Sequence, residues 1–538
     1  MAEPVHGGLV VTRTLTALGV DHLFTLTGGH IFPILDGAHQ DGLRIVDVRH
    51  EQTAAFAAEG WARLTRKLGV CAVTAGPGVT NALSALAQAS FNRAPVLALA
   101  GRAPAFRWGQ GSLQEIDHVP FVQPLAEARS VLDTGSVGKE VVEAAYRALT
   151  PPRGPQFLDV PLDVLFNVAE AEVEVPTFDA ASLDATAETA AGSVAELITV
   201  SERPVLMAGS NVWLDGGEDP LRALAEKAGL AVFMNGQGRG CLPADHPNAF
   251  SRSRSHALKN ADLVVVVGTP LDFRLGFGDF GDAKVVHIDS APTAEHVELA
   301  TEGIFGLTGA VLDVIAGAIS KAPDTSAWLE TLRRIEIEKS EAARAELASD
   351  SSPIHPMRIY GDLGKLLDRD AIVICDGGDF ASYAGREIAS YEGGSWLDPG
   401  PYGCLGCGFG YAMAARSAYP DRQIALLLGD GALGFDGMEM ETLARLGLPV
   451  VCLVGNNGIW GLEKHPMRGI YGYDVAAELQ PALRYDTVME ALGGKGETIT
   501  APNEIGPALK RAFASGEPYL VNVLTDPEIA YPRSANLA

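Results

Sequence analysis

The chain's 538 residues are too many for one hydrophobic core, so two to four domains are expected. Apolar residues at 47% with 60 glycines suit a well-packed α/β protein and exclude a disordered one. A net charge of −26 argues against nucleic acid or an anionic membrane as partner, and any strongly anionic substrate would need a local basic patch.

The amino terminus, MAEPVHGG, lacks the apolar core of a signal peptide, and no apolar run reaches the roughly 20 residues that cross a bilayer. Six cysteines suggest a reducing compartment, so a cytoplasmic protein is expected. From residue 5 to about 170, helical periodicity alternates with short apolar runs at Leu23–Leu26, Val70–Thr74, Val96–Ala100 and Gln156–Val160, which predicts doubly wound α/β structure. An acidic stretch from Ala169 to Asp184 reads as a linker. The middle region holds three apolar runs, within Glu202–Asn211, Ala261–Phe273 and Ala283–Pro292. Two are followed by small-residue turns and one ends in Asp289, a Rossmann-like pattern without the full glycine fingerprint. A charged helix over Trp328–Ala348 leads to a third region from about Ile354 onward.

The richest stretch is Ile424 to Gly458. An apolar run ends in Gly429-Asp430-Gly431, a helical segment follows, and a second apolar run ends in Gly455-Asn456-Asn457. This reads as strand, glycine turn, helix, strand, with oxygen side chains at both carboxyl ends, the edge where open α/β sheets bind ligands. Asp430 and Asn457 offer hard oxygens, and the glycines let backbone N–H groups approach a phosphate. One or two protein oxygens plus a bound diphosphate would suit Mg²⁺, which gives up its water reluctantly. Asp436 is placed to cap the helix, with Glu439 three residues on. Cys404 and Cys407 form a CxxC with no second pair, which excludes a structural zinc site and suggests small residues beside a cofactor.

Gly429-Asp430-Gly431 with the later asparagine pair resembles the cofactor signature of the thiamine diphosphate enzymes, and Val48-Arg49-His50-Glu51-Gln52 with its Ala-rich sequel resembles the segment of that family that carries the activating glutamate. The chemistry calls for a carboxylate there. C2 of the thiazolium is a weak acid, and the cofactor's own amino group takes its proton only when a carboxylate hydrogen-bonds the far pyrimidine nitrogen. The resemblance spans essentially the whole chain and implies three doubly wound parallel-sheet domains. A pyrimidine-binding domain would occupy 1–175, a nucleotide-binding-like domain 190–325, and a diphosphate- and Mg²⁺-binding domain 355–538. It further implies Glu51 as activator, Asp430, Asn457 and Ile459 at the metal, and Gly429, Gly431, Ala432, Leu433 and Asp379 around the diphosphate. Gly76 and Asn81 would lie on the pyrimidine side, Leu405 beneath the bent cofactor, and the Gly403 carbonyl on its amine. Because Glu51 and the Asp430–Asn457 pair sit in different domains, a homodimer or homotetramer with sites between subunits is implied.

Within the family, Thr25–His30, Thr74–Asn81 and Leu113-Gln114-Glu115 look like the acetolactate synthase pattern, with Gln114 a donor on the substrate side. Two features depart from it. No lysine follows in Val122–Arg129, and Asn235–Gly240 with Ser251–Ala257 looks more like the 2-hydroxyacyl-CoA lyases and oxalyl-CoA decarboxylases. Leu271-Asp-Phe-Arg274, with Asp289, would touch a middle-domain nucleotide, FAD or ADP. Glu463 stands where pyruvate-decarboxylase-type enzymes carry a catalytic glutamate, and His30, His50 and His118 are candidates for proton transfer in the same cavity. The expected function is a carboligase or lyase acting on 2-oxo acids, acetolactate synthase-like. A 2-hydroxyacyl-CoA lyase or ligase acting on acyl-CoA and aldehyde is the alternative, a basic patch at Arg252, Arg254 and Arg274 being its mark, and an FAD-dependent pyruvate oxidase is a further one.

Overall fold

Among the described residues, three six-stranded sheets with every pairing parallel carry the fold. The computed structural model describes residues 4–169, 174–178, 185–291, 300 and 302–532. The first sheet runs, in spatial order, Arg44–Asp47, His22–Thr25, Gly69–Val73, Val96–Arg102, Gln156–Pro161, Glu127–Ser130. The second runs Ala249–Phe250, Ala231–Met234, Pro204–Ala208, Leu263–Val267, Lys284–Asp289, Glu302–Phe305. The third runs Trp396–Leu397, Ile372–Asp376, Ile424–Gly429, Val451–Asn456, Tyr519–Leu524, Lys495–Ile499. Helices cover both faces, so the central strands read as unbroken apolar runs such as LVVVV at Leu263–Val267, all five residues buried. Two edge strands of the first sheet, Arg44–Asp47 and Glu127–Ser130, were not expected. Their sequences, RIVD and EARS, are polar because an edge strand is only half covered. Part of the expected linker, residues 170–173 and 179–184, lies outside the described residues.

In each sheet the chain first winds to one edge and then crosses back past its starting strand, leaving a crevice at the carboxyl ends of two neighbouring strands. These pairs are His22–Thr25 with Gly69–Val73, Pro204–Ala208 with Leu263–Val267, and Ile372–Asp376 with Ile424–Gly429. Such switch points are where open α/β sheets place ligands.

The first and third domains share one core. Helix Glu51–Thr65 lies on helix Gly408–Ala418, and the glycines Gly60 and Gly410 let the backbones touch: a Cβ on Gly60 would come within 2.8 Å of Tyr411. The expected capping box at Asp436 does not form. Asp430–Asp436 is itself helical, and a separate helix, Glu439–Arg445, follows. Both carboxylates serve the domain seam instead. Thr53 Oγ1 donates to Asp436 (3.1 Å), and Glu439 accepts the N–H groups of Arg49 (2.9 Å) and His50 (3.1 Å), at the mouth of helix Glu51–Thr65. Burial, aided by the charge of Glu439, pushes Asp436 up to about 8.

Among the described residues no helix is long and apolar enough to cross a membrane.

Candidate active site

At the first switch point the loops after both strands close into one hydrogen-bonded cluster. Glu51, the first residue of its helix, is buried, and Asn81 Nδ2 donates to its Oε2 at 3.0 Å. Thr74 joins the two loops: His30 Nδ1 lies 3.2 Å from its hydroxyl, which lies 3.4 Å from Gln114 Oε1. Gly76 turns the chain with φ +59°, and a Cβ there would meet Gln114 Cβ at 2.9 Å. Its N–H donates to His118 Nε2 (2.9 Å), so the His118 proton sits on Nδ1 and faces Asp159 Oδ2 (3.0 Å). Both His118 nitrogens are therefore engaged, and the ring holds the Gly76 turn. His30 is held below the ordinary histidine range, mainly by burial, against a hydrogen bond with the Leu113 backbone that favours its charge. It is neutral at pH 7. His50 stands apart: it is exposed, and its Nδ1 accepts the N–H of Gln52 at 3.2 Å, capping the helix.

Sequence reasoning passed over Thr74 and Asp159 as individuals. For Asp159 a signal existed, a carboxylate in the middle of the fully buried strand QFLDVP, which demands a partner.

The third switch point gathers the expected metal residues. Asp430 is buried, with Oδ2 accepting from Gly458 N–H (2.8 Å) and Oδ1 from Gly431 N–H (3.1 Å). Desolvation, with a contribution from the charge of Asp379, pushes its carboxyl up to about 6. Asn457 Nδ2 donates to Asp379 Oδ2 (3.3 Å), and Asn457 Oδ1 accepts from Ile459 N–H (3.2 Å). Asp379 is likewise raised by burial. Gly429 ends the strand, Gly431 lies in the helix's first turn against the Trp460 ring, and Ala432 and Leu433 are buried in the shared core. Among the described residues no three His, Cys, Asp or Glu side chains gather as a metal site of their own.

Leu405 packs over the turn after Ile372–Asp376. Gly377 has φ +60°, and a Cβ there would lie 2.0 Å from Leu405 Cδ2. Beyond Leu405, Asp376 accepts from Gly406 N–H (3.0 Å) and Gly408 N–H (2.9 Å), while Gly403 is exposed. Cys404 and Cys407 are both free thiols, and burial pushes Cys404 up to about 11. Glu463 is exposed on the first turn of helix Gly461–Tyr471, whereas Lys464 turns inward to pair with Glu478.

At the second switch point a cavity of about 500 Å³ is lined by Ser210, Asn211, Gly268, Thr269, Arg274 and, from the first domain, Arg93. Asp289 is buried and accepts from Arg93 (2.6 Å), Asn211 (2.7 Å) and the N–H of Ser290 (2.7 Å). Arg274 forks onto Asp272. Arg252 and Arg254, with Arg239, Lys339 and Arg386, line a second cleft of about 730 Å³ between the middle and third domains, and Arg274 lies near enough to Arg254 to act on its charge.

Comparison with known proteins agrees with this division. Three family models match. The thiamine pyrophosphate enzyme N-terminal TPP binding domain matches residues 5–121, the central domain 192–315, and the C-terminal TPP binding domain 376–523. The chain is 51% identical over 547 residues to the "Probable acetolactate synthase" of Mycobacterium bovis, covering 100% of this chain and 99% of that one. It is 32% identical over 580 residues to the "2-hydroxyacyl-CoA lyase 2" of Caenorhabditis elegans, covering 96% and 89%, and 32% identical over 576 residues to the human protein of that name, covering 96% and 90%. On its fold, these family models and these relatives, the chain belongs to the thiamine pyrophosphate (thiamine diphosphate) enzyme family.

Proposed function

We propose that the enzyme binds thiamine diphosphate with Mg²⁺ between the first-domain edge of one subunit and the third-domain edge of another. It would decarboxylate a 2-oxo acid such as pyruvate and join the remaining fragment to a second carbonyl, as in acetolactate formation. The single observation that carries this reading is the pair of matched edges: Glu51, Asn81 and Gly76 at one switch point, Asp430, Asn457 and Asp379 at the other. The mycobacterial relative, named as an acetolactate synthase and alike over its full length, supports the substrate class.

The residues fit the group. Asp430 is a desolvated carboxylate raised to about 6 beside a second acid, an arrangement that a divalent cation relieves. With so few protein ligands, Mg²⁺ would complete its shell from the diphosphate and water. When bound, the cofactor supplies an acidic C–H whose conjugate base adds to the 2-oxo carbonyl and accepts the charge left by departing CO₂. Glu51 holds a proton at the far pyrimidine nitrogen, and its burial beside Asn81 strengthens that hydrogen bond. The Gly403 carbonyl would receive the pyrimidine amine and Leu405 would pack beneath the cofactor, holding its reacting groups close together. Gln114, its oxygen engaged by Thr74, turns its amide N–H₂ to the substrate. His30, its charge disfavoured by burial, and exposed Glu463 are the acid–base groups of this reading. Leu113, 77% exposed, with Phe435 and Met438, each 55% exposed, rims these edges and supports a second subunit covering them in a homodimer or homotetramer. The middle-domain cavity, with Asn211, Arg274 and the Asp289–Arg93 pair, would take FAD or ADP, and the enzyme would work in the cytoplasm.

A second reading, cleavage or ligation of 2-hydroxyacyl-CoA, is favoured by the arginine-lined cleft and by the relatives named as lyases. Denaturing the purified protein and identifying the released nucleotide separates the readings: FAD supports the synthase, ADP the lyase. Yellow protein that bleaches with pyruvate would instead support an oxidase. The central test is Glu51→Gln, expected to leave the fold intact and lower turnover by about 100-fold or more. Activity within a few-fold of the parent would refute the assignment.

A further inference from the structure

The segment that carries Gly403 and Leu405 is clamped by a polar network absent from the roles above. Glu59, two turns beyond Glu51 on the same helix, is fully buried, as are Arg63, Gln88 and Tyr411. Its carboxylate accepts from Asn92 Nδ2 (2.7 Å), Gln88 Nε2 (3.3 Å) and Arg63 Nη1 (3.3 Å). Each donor also reaches the 398–404 segment. Arg63 Nη1 donates to the Asp398 carbonyl (2.8 Å), Asn92 Nδ2 donates to the Pro399 carbonyl (3.2 Å), and Gln88 Oε1 accepts the N–H of Cys404 (3.0 Å). Arg63 and Gln88 also both donate to Tyr411 Oη at 2.8 Å, and Arg63 Nε donates to Gln237 of the middle domain at 3.1 Å. All three domains are thus linked through Arg63, the partner of Glu59.

An acid and a guanidinium with no water access cost several kcal/mol to desolvate, and replacing such a pair by apolar residues is often neutral or stabilising. Interdomain adhesion alone does not call for them. What charged and amide groups provide, and apolar ones do not, is fixed direction: each carbonyl and N–H of the segment is met at one angle. We propose that Glu59, through Gln88, Asn92 and Arg63, acts as a positioning residue that holds Asp398–Cys404 so that the Gly403 carbonyl and Leu405 meet the pyrimidine end of the cofactor. The first domain sets the near side of this segment, and Asp376 of the third domain, accepting from Gly406 and Gly408, sets the far side. The proposal rests on the thiamine diphosphate reading.

Gln88→Met keeps length and volume while deleting the acceptor for Cys404, and Asn92→Ala deletes the contact to Pro399. Each variant is compared with the parent by hydrogen–deuterium exchange over residues 398–405 in cofactor-free protein, by thiamine diphosphate affinity from isothermal titration with Mg²⁺ present, and by melting temperature. Expected for each variant are faster exchange confined to 398–405, about tenfold weaker cofactor binding, and a melting temperature within a few degrees of the parent. Unchanged cofactor affinity in both variants overturns the positioning role, whether or not the segment loosens. If Gln88→Met does not fold, the exposed-side variant Asn92→Ala decides by the same two readouts. Failure of the parent itself to bind thiamine diphosphate would overturn the functional reading beneath the proposal, while exchange over 398–405 would still report on the clamp.

Discussion

Asp436 gives the sharpest test of the seam between the first and third domains. An aspartate ordinarily titrates near 3.8; here burial, with the charge of Glu439 behind it, pushes Asp436 up to about 8. A carboxyl raised in the fold favours folding while protonated. Stability is greatest below the unfolded value, falls as pH rises between the two, and levels off once pH passes the folded value. At about 1.36 kcal/mol per unit, the carboxyl costs the fold about 2 kcal/mol at pH 5, about 4 kcal/mol at pH 7 and about 6 kcal/mol at pH 9. Asparagine carries no such linkage, and its oxygen can still accept from Thr53 Oγ1. Asp436→Asn is therefore expected to be more stable than the parent at pH 7, less about 1 kcal/mol for an amide N–H without a partner. The gap should widen at pH 9 and nearly close at pH 5. Urea denaturation of cofactor-free protein at the three pH values, read as midpoint and slope, measures it. A variant less stable than the parent at pH 7, or a gap that ignores pH, would refute the reasoning.

The other binding-edge residues make separate predictions. Asp430→Ala should weaken Mg²⁺ and thiamine diphosphate together by at least about tenfold in titration calorimetry. In the parent, Mg²⁺ affinity should fall as pH drops through about 6, where Asp430 takes up a proton, and that dependence should vanish in the variant. Gly377→Ala forces a Cβ into Leu405 at a left-handed φ, so stability should drop by about 1–3 kcal/mol and cofactor affinity with it; a variant matching the parent in both denaturation and titration would dissociate Leu405 from the site. His118→Phe takes from buried Asp159 its hydrogen-bonded imidazole, leaving Arg102 at 3.5 Å as charge partner, and leaves Gly76 N–H without its acceptor, for an expected loss of about 2–3 kcal/mol in urea denaturation. A loss under about 1 kcal/mol would mean that the Gly76 turn does not depend on the imidazole.

What the sequence exposes and what it conceals divide along one physical line. Strands buried on both faces are long apolar runs, and the residues that bind at a switch point follow those runs directly, because the turn leaving the strand is itself the binding edge. The proposed binding residues Asp430, after Leu428-Gly429, and Asn457, after Val454–Asn456, therefore stand out in local pattern alone, whereas Thr74 does not. Polar edge strands such as Glu127–Ser130 have no such signature. Nor do groups whose partners lie far along the chain: Glu439 reaches back 390 residues to the N–H of Arg49, and Gln88 reaches forward 316 residues to Cys404. Asp436 and Glu439 look like a helix cap in sequence because the spacing is right, yet each finds its partner across the seam, where burial makes an unpaired carboxylate far more expensive than an uncapped turn. The same argument finds Asp159, Glu59 and Asp436 afterwards. Each is an acid set among buried neighbours, and such an acid is a demand for a partner that the sequence states without saying where the partner is. Asp159's demand is met inside the first domain by His118, while those of Glu59 and Asp436 are met where the first and third domains join, and that joint holds each proposed binding edge in place.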